Sequence, residues 1–376
     1  MDKLKVSGFS TILDVFYSDT SELSLTSEEL IQILRGDITN IENEEDKNIL
    51  ISIIKDLELG NHSILGEQEK EYLRVNNQSG YSQYLIFRWK LKEYPKLRKV
   101  AAFPLYLLIE PTPICNLKCT MCFQMDDQTF LSKDYMGFIE MDLFKRVIDE
   151  AHEGGTKAIT LASRGEPTLH PQFGEMLDYC SGKFHEIKVN TNATKLNEDL
   201  IHTILKNNVN HLVFSVDSYT KEDYKIIRGF DKFDEIVSNI ELFNKIRKKT
   251  YPNSRVLTRV QGVKVNEEMN SSEFYNYWED YADSVALQDT IFRWDIYNNK
   301  INKHSESCLP IWDRMYIWYD GNCSPCDQDY KGLLSLGNIK NNSLAEMWNG
   351  ERISKMRKDH ISGNRNNHFP CDRCPV

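Results

Sequence analysis

Between residues 101 and 300, short apolar runs alternate with amphipathic stretches. This pattern limits the possible folds more than any other feature of the chain. The runs fall at 106–110, 158–161, 187–190, 211–216, 256–263 and, less distinctly, 284–287. Helical patterns lie between and after them, at 141–153, 171–179, 197–206, 233–248 and 272–281. Strands that alternate with helices must return in the same direction, so the order predicts an α/β fold with a parallel sheet. Six such units form either an open sheet or a partial barrel. In both, functional residues gather at the carboxyl ends of the strands.

Composition narrows the setting. The chain has 376 residues and a formal net charge of −10, which gives no bulk attraction to nucleic acid, so no nucleic-acid partner is expected. The apolar segment Tyr106-Leu107-Leu108-Ile109 closes on Glu110 and is far too short to span a membrane, so no membrane partner is expected. The N-terminus lacks the basic, apolar and small-residue order of a signal peptide, and a cytoplasmic location is expected. In that compartment nine cysteines point to metal binding or catalysis rather than disulfides. They fall into groups: Cys115, Cys119 and Cys122; Cys308, Cys323 and Cys326; Cys371 and Cys374; and Cys180 alone.

Three segments follow. Residues 1–100 contain no cysteine and are expected to form a helical N-terminal extension. Helix-spaced apolar residues occur at 30–34 and 49–57, Ser27 is a candidate cap, and Glu42, Glu44, Glu45 and Asp46 form a solvated run. The basic stretch Arg88, Lys90, Lys92, Lys96, Arg98 and Lys99 reads as a solvated helix face, with a binding patch as the alternative. Residues 101–300 form the alternating region. Residues 304–376 are cysteine-rich, with turns at Asp320-Gly321 and Leu336-Gly337-Asn338 and a short helix over 344–348. So small a segment would gain much of its stability from a metal centre.

Cys115-Asn116-Leu117-Lys118-Cys119-Thr120-Met121-Cys122 directly follows the first strand. Soft thiolates select zinc or iron–sulfur clusters. A structural zinc site wants four ligands, usually as two pairs. Three thiolates suit a cubane with one iron left open, and a zinc knuckle is the alternative. This motif resembles that of the radical S-adenosylmethionine (radical SAM) superfamily. Ser163-Arg164-Gly165-Glu166-Pro167 is similar to the family's GGEP motif, with Arg164 in place of the first glycine, so the loop's backbone is expected to differ in detail. Asn190-Thr191-Asn192 is similar to its TNG segment, Ser215-Val216-Asp217 to its SxD segment, and Ile227-Arg228-Gly229 to its IRG segment. Met121 stands where relatives are usually aromatic.

The resemblance implies a partial (β/α)6 TIM-like barrel. It implies a 4Fe–4S cluster on Cys115, Cys119 and Cys122, with SAM chelated to the open iron and held near Gly165, Glu166, Pro167, Asn192, Ser215, Asp217 and Arg228. It also implies one-electron cleavage of SAM to a 5′-deoxyadenosyl radical, which abstracts a substrate hydrogen atom. A reducing partner such as a flavodoxin or ferredoxin would supply the electron.

Twelve residues separate Cys308 from Gly321, and four more separate Gly321 from Cys326. This spacing, with Pro370-Cys371-Asp372-Arg373-Cys374, resembles the SPASM/twitch extension of many radical SAM enzymes. The resemblance implies a second, auxiliary 4Fe–4S cluster on Cys308, Cys326, Cys371 and Cys374, with zinc as the alternative. Cys323 is ambiguous, because it forms a C-x2-C with Cys326. Cys180 reads as a packed core thiol. Asp289 and Asp295 are candidate proton acceptors, with Trp294 beside them; an ordinary polar loop is the alternative. His170 is expected to order the loop after Glu166. Trp312, Tyr316, Trp318 and Tyr319 are expected in the core of the small domain.

Relatives act on peptides, on enzymes activated by oxidation, and on sugars or aminocyclitols. The expected substrate is a peptide, oxidised, epimerised or cross-linked, with residues 1–100 as a possible leader-binding module. A small metabolite is the alternative substrate, and an electron-transfer or metal-stabilised binding protein is the alternative of another class.

Overall fold

The structure is a computed structural model that describes residues 12–17, 25–125, 135–207, 209–265, 269–289, 296–302 and 306–374. It divides into two compact units, residues 20–99 and residues 1–19 with 100–376. Among the described residues, no helix is long and apolar enough to cross a membrane.

The smaller unit is helical: α1 (Ser27–Asp37), α2 (Glu44–Glu58), α3 (Glu67–Val75) and α4 (Tyr81–Leu97). The cap of α1 is Thr26, not Ser27. Thr26 Oγ1 accepts from the Glu29 N–H, and the Glu29 carboxylate accepts from the Thr26 N–H, a reciprocal capping box. The basic stretch lies on α4 but is not wholly solvated. Arg88 and Lys92 both reach the buried Glu69 carboxylate, at 2.6 and 2.9 Å. Tyr84, Leu85 and Phe87 of α4 are buried.

The larger unit is built on one sheet. Its strands are β1 (Ile12–Tyr17), β2 (Tyr106–Ile109), β3 (Ala158–Leu161), β4 (Glu186–Thr191), β5 (His211–Ser215), β6 (Leu257–Lys264), β7 (Ser284–Asp289), β8 (Arg314–Ile317), β9 (Asn322–Ser324) and β10 (Gly337–Asn338). Their spatial order is β1-β7-β6-β5-β4-β3-β2-β8-β9-β10. Strands β2 to β7 are parallel and adjacent in chain order. The connecting helices are α5 (Met141–Gly154), α6 (Phe173–Cys180), α7 (Glu198–Lys206), α8 (Lys221–Arg228), α9 (Phe233–Thr250) and α10 (Ser271–Trp278). This is the expected partial barrel. Helix α8 was not anticipated, because Lys221, Glu222, Asp223 and Lys225 leave it few apolar residues.

Alternation sorts the two faces of the sheet. Leu107, Ile109, Ile159, Leu161, Val189 and Phe214 pack in the core with the helices. On α5, Leu143, Phe144, Val147, Ile148 and Ala151 supply the matching stripe. The other face is polar and half-exposed, with Lys188, Asn190, Arg259 and Gln261 upon it.

The cysteine-rich segment is joined to this sheet. Strand β8 lies parallel beside β2, pairing Tyr106 with Arg314 and Ile109 with Ile317. The turn into β9 needs Gly321, whose φ is +86° and where a Cβ would stand 2.8 Å from Asn338 Oδ1. Helices α11 (Leu344–Asn349) and α12 (Glu351–Ile361) follow. Ile353 and Met356 of α12 pack with Ile311, Trp312 and Leu334.

Candidate functional site: two cysteine centres joined through Arg164

The loop after β2 carries Cys115, Cys119 and Cys122, all free thiols. It is tied down by backbone. The Lys118 and Thr120 N–H groups donate to the carbonyls of Arg228 and Ile227, at 3.0 and 2.8 Å. On its other side the Glu166 N–H donates to the Ile114 carbonyl at 2.8 Å. Gly165 is required there, because a Cβ would lie 2.4 Å from the Pro113 carbonyl carbon and 2.5 Å from the Ile114 oxygen. The glycine thus lets the loop after β3 lie flat against the cysteine loop.

Glu166 is fully enclosed. Its Oε1 accepts from the Thr168 N–H, the Thr168 hydroxyl and the Thr191 hydroxyl, and its Oε2 from the Asn192 N–H at 2.6 Å. The carboxylate therefore fastens the end of β4 to the loop after β3. Burial pushes its pKa up, against these donors. Pro167 opens the short 3-10 turn that follows. Asn192 reaches across to the cysteine loop, donating to Asn116 Oδ1 at 2.8 Å, while Thr194 bridges both asparagines. His170 Nε2 faces the Ile139 carbonyl at 2.9 Å and its Nδ1 accepts the Gln172 N–H, so it orders this loop as expected.

Arg228 ends α8. Its guanidinium pairs with Asp217 at 2.7 Å, donates to the Val216 carbonyl and stands 3.5 Å from Cys119 Sγ. Asp217 in turn accepts the Val263 N–H at 2.8 Å. Ser215 is half-buried at the end of β5. The structure thus brings Gly165, Glu166, Asn192, Asp217 and Arg228 around the three cysteines. Asp289 ends β7 opposite Lys264. Asp295 and Trp294 lie outside the described residues.

Burial pushes the Cys115 thiol up to about 11 and that of Cys122 to about 12. It also raises Cys119, against the nearby Arg228 charge. Buried thiols of this kind ionise when a metal replaces the proton, so the set fits an iron–sulfur group.

A second set forms in the C-terminal segment. Cys308, Cys326, Cys371 and Cys374 line one cavity with Ile311, Met356, His360 and Arg365. Burial pushes Cys371 up to about 12, against the Arg365 charge. Four thiols spread around a cavity suit a multi-iron cluster. Cys323 is not on that cavity. It is buried in the core with Ile317 and Ile339. Cys180 is buried in that core as well.

In sequence Arg164 is only a departure from GGEP, yet in the structure it links both regions. Its Nε and Nη2 donate to the two oxygens of Glu110, at 2.7 and 2.5 Å. Its Nη1 donates to the Tyr330 carbonyl at 2.9 Å, and its plane lies 4.3 Å from the Trp318 ring. Tyr330 stacks on Phe123, next to Cys122, with ring centroids 4.4 Å apart. Glu110 closes the first apolar run, 54 residues before Arg164, and no local pattern pairs them. Trp312 lies in the small hydrophobic cluster as expected, whereas Tyr316 of β8 lies on the inner face of the sheet.

Comparison with known proteins agrees with this arrangement. The model of the radical SAM superfamily matches residues 109–268, and that of the SPASM iron–sulfur cluster-binding domain matches residues 308–375. The antilisterial bacteriocin subtilosin biosynthesis protein AlbA of Bacillus subtilis is 24% identical over 337 residues, covering 82% of this chain and 71% of AlbA. Mycofactocin maturase MftC of Mycobacterium tuberculosis is 27% identical over 138 residues, covering 37% of this chain and about a third (34%) of MftC. Among solved structures, Streptococcus suis SuiB bound to precursor peptide SuiA shares the fold, with a TM-score of 0.52 at 16% identity over 98% of this chain and 99% of that one. The chain carries a radical SAM domain followed by a C-terminal SPASM iron–sulfur domain, with SAM and iron–sulfur clusters as its cofactors.

Proposed function

We propose that this enzyme cleaves SAM reductively and abstracts a hydrogen atom from a peptide, leaving it oxidised, epimerised or cross-linked. The observation that carries this reading is the packing of the cysteine loop, the loop after β3, the end of β4 and Arg228 into one assembly. Cys115, Cys119 and Cys122 would hold the SAM-binding cluster, and Cys308, Cys326, Cys371 and Cys374 the auxiliary one. When bound, the central cluster and SAM supply the 5′-deoxyadenosyl radical, with an electron from a flavodoxin or ferredoxin.

The chain's own residues do the rest. Arg228 places a fixed positive charge beside Cys119 Sγ and shields that thiolate. Glu166 holds β4 against the loop after β3, so the surroundings of SAM are formed before it binds. The half-exposed inner face of the sheet provides room for substrate. A peptide substrate is supported by AlbA, whose name assigns it to bacteriocin biosynthesis, and by the SuiB fold, seen with a precursor peptide.

The test is anaerobic reconstitution, dithionite reduction and assay for 5′-deoxyadenosine, with iron counted in parallel. Deoxyadenosine that vanishes in a Cys115→Ala, Cys119→Ala, Cys122→Ala chain, with about eight irons in the parent protein, supports the proposal. No cleavage from intact clusters, with or without candidate peptides, would refute it.

A further inference from the structure

The inner face of the sheet departs from ordinary barrel interiors, which are filled by layers of branched apolar side chains. Here Lys188 of β4 has Thr160 of β3 and His211 of β5 as its register partners. Arg259, Arg314 and Glu186 are its charged neighbours. Arg314 is compensated by Asp313, at 2.6 and 2.9 Å. Arg259 donates to the Ser284 hydroxyl at 3.1 Å. Lys188 forms no hydrogen bond or ion pair with any described residue. Burial, with the Arg259 and Arg314 charges, pushes its pKa down to about 8, against Glu186. Two residues along β4, Asn190 Oδ1 is buried without a hydrogen-bond partner among the described residues.

The half-buried Lys188 ammonium and the enclosed Asn190 carbonyl oxygen are costly unless something satisfies them. The ammonium calls for an anion and the oxygen for an N–H or O–H donor. Alternate residues of a strand stand roughly 7 Å apart on one face. A carboxylate and a neighbouring amide N–H at that separation describe an acidic residue within a peptide.

We propose that Lys188 and Asn190 form a substrate-recognition site on the barrel's inner face that takes a carboxylate with an adjacent amide N–H, so that the substrate is an acidic peptide segment. The inference rests on the proposed peptide function and names its chemistry. A second carboxylate source is SAM. Its amino-acid end is expected at the cysteine loop, which Asn192 touches. Asn192 lies four residues beyond Lys188, roughly 13 Å along an extended strand. The distance favours the substrate's carboxylate.

The test is competitive acetylation of the reconstituted, SAM-loaded enzyme across pH, with Lys188 reactivity read by mass spectrometry. The probes are N-acetyl-glutamate amide and its neutral isostere, N-acetyl-glutamine amide. Lys188 should titrate well below surface lysines. Saturating glutamate probe should raise its midpoint by about one unit, slowing labelling below the midpoint about tenfold, and the glutamine probe should not. The Asn190→Leu variant should weaken binding of the glutamate probe severalfold. An unchanged midpoint with the glutamate probe overturns the proposal. An equal response to both probes does so too, as does a shift produced by SAM alone. Deoxyadenosine formation by the same preparation reports separately on the radical chemistry. A silent Lys188 with intact SAM cleavage would remove this site and leave the enzyme reading standing.

Discussion

Replacing Arg164 by methionine strips Glu110 of its two charge-assisted bonds and frees the Tyr330 carbonyl, while keeping an apolar contact on Trp318. What remains to Glu110 is the backbone N–H of Arg164 at 3.2 Å and that of Tyr319 at 3.3 Å. Glu110 has no exposed surface and Arg164 is only 7% exposed, so solvent cannot replace the lost partner. Removing one member of a buried pair costs about 3–5 kcal/mol, because an uncompensated charge stays behind. At about 2–4 °C per kcal/mol, that is roughly a 10 °C fall in Tm for a unit of this size. The assay is anaerobic thermal and denaturant unfolding of the parent, Arg164→Met, Glu110→Gln and the double variant. The double variant should recover at least about 2 kcal/mol of the summed losses. Strictly additive single effects, or single losses below about 1 kcal/mol, would refute the coupling.

Gly165→Ala would drive a methyl into the Pro113–Ile114 backbone; iron at the central site should fall sharply while auxiliary iron stays bound. Cys326→Ser should lower auxiliary iron, whereas Cys323→Ala should leave the iron count intact and cost about 1–2 kcal/mol of core packing. Thr191→Ala removes one of the four donors to the Glu166 carboxylate and should cost about 1–2 kcal/mol in denaturant unfolding. Burial, aided by the Lys157 ammonium, pushes His185 down to about 4. The unfolded chain therefore takes up this proton first, near the ordinary pKa of about 6.5. The His185 contribution is fully present above pH 6.5 and is lost as pH falls to about 4. It amounts to about 2–3 kcal/mol, so a pH titration of stability with His185→Gln should show a shallower acid limb.

The parallel αβ alternation was legible because each outward strand residue and its covering helix stripe are apolar at the right period. The central cysteine spacing was legible for a chemical reason, since thiolates within one loop need no distant partner to be recognised, whereas the set spread from Cys308 to Cys374 was legible only through its resemblance to the SPASM/twitch extension. Less local features were hidden. Strand β8 reads Arg-Met-Tyr-Ile, and nothing nearby shows that its partner is β2, some 200 residues earlier. The Phe123–Tyr330 stack is equally distant in sequence, and the Arg164–Glu110 pair spans 54 residues. Helix α8 was obscured because only Tyr224, Ile227 and Arg228 face inward. Thr26 and Ser27 both offer a capping hydroxyl, and only backbone geometry selects Thr26 over the expected Ser27.

The pairing of β8 with β2 has a consequence for biosynthesis. On the ribosome, β3 can cover one side of β2 early, but the other side keeps its N–H and C=O groups unpaired until residues 314–317 emerge. An uncovered strand edge is a template for association with other chains. The nascent barrel is therefore most exposed to aggregation through the synthesis of its own helices, until β8 closes that edge. Truncation before residue 314 should yield insoluble protein even though every cysteine of the central loop is present.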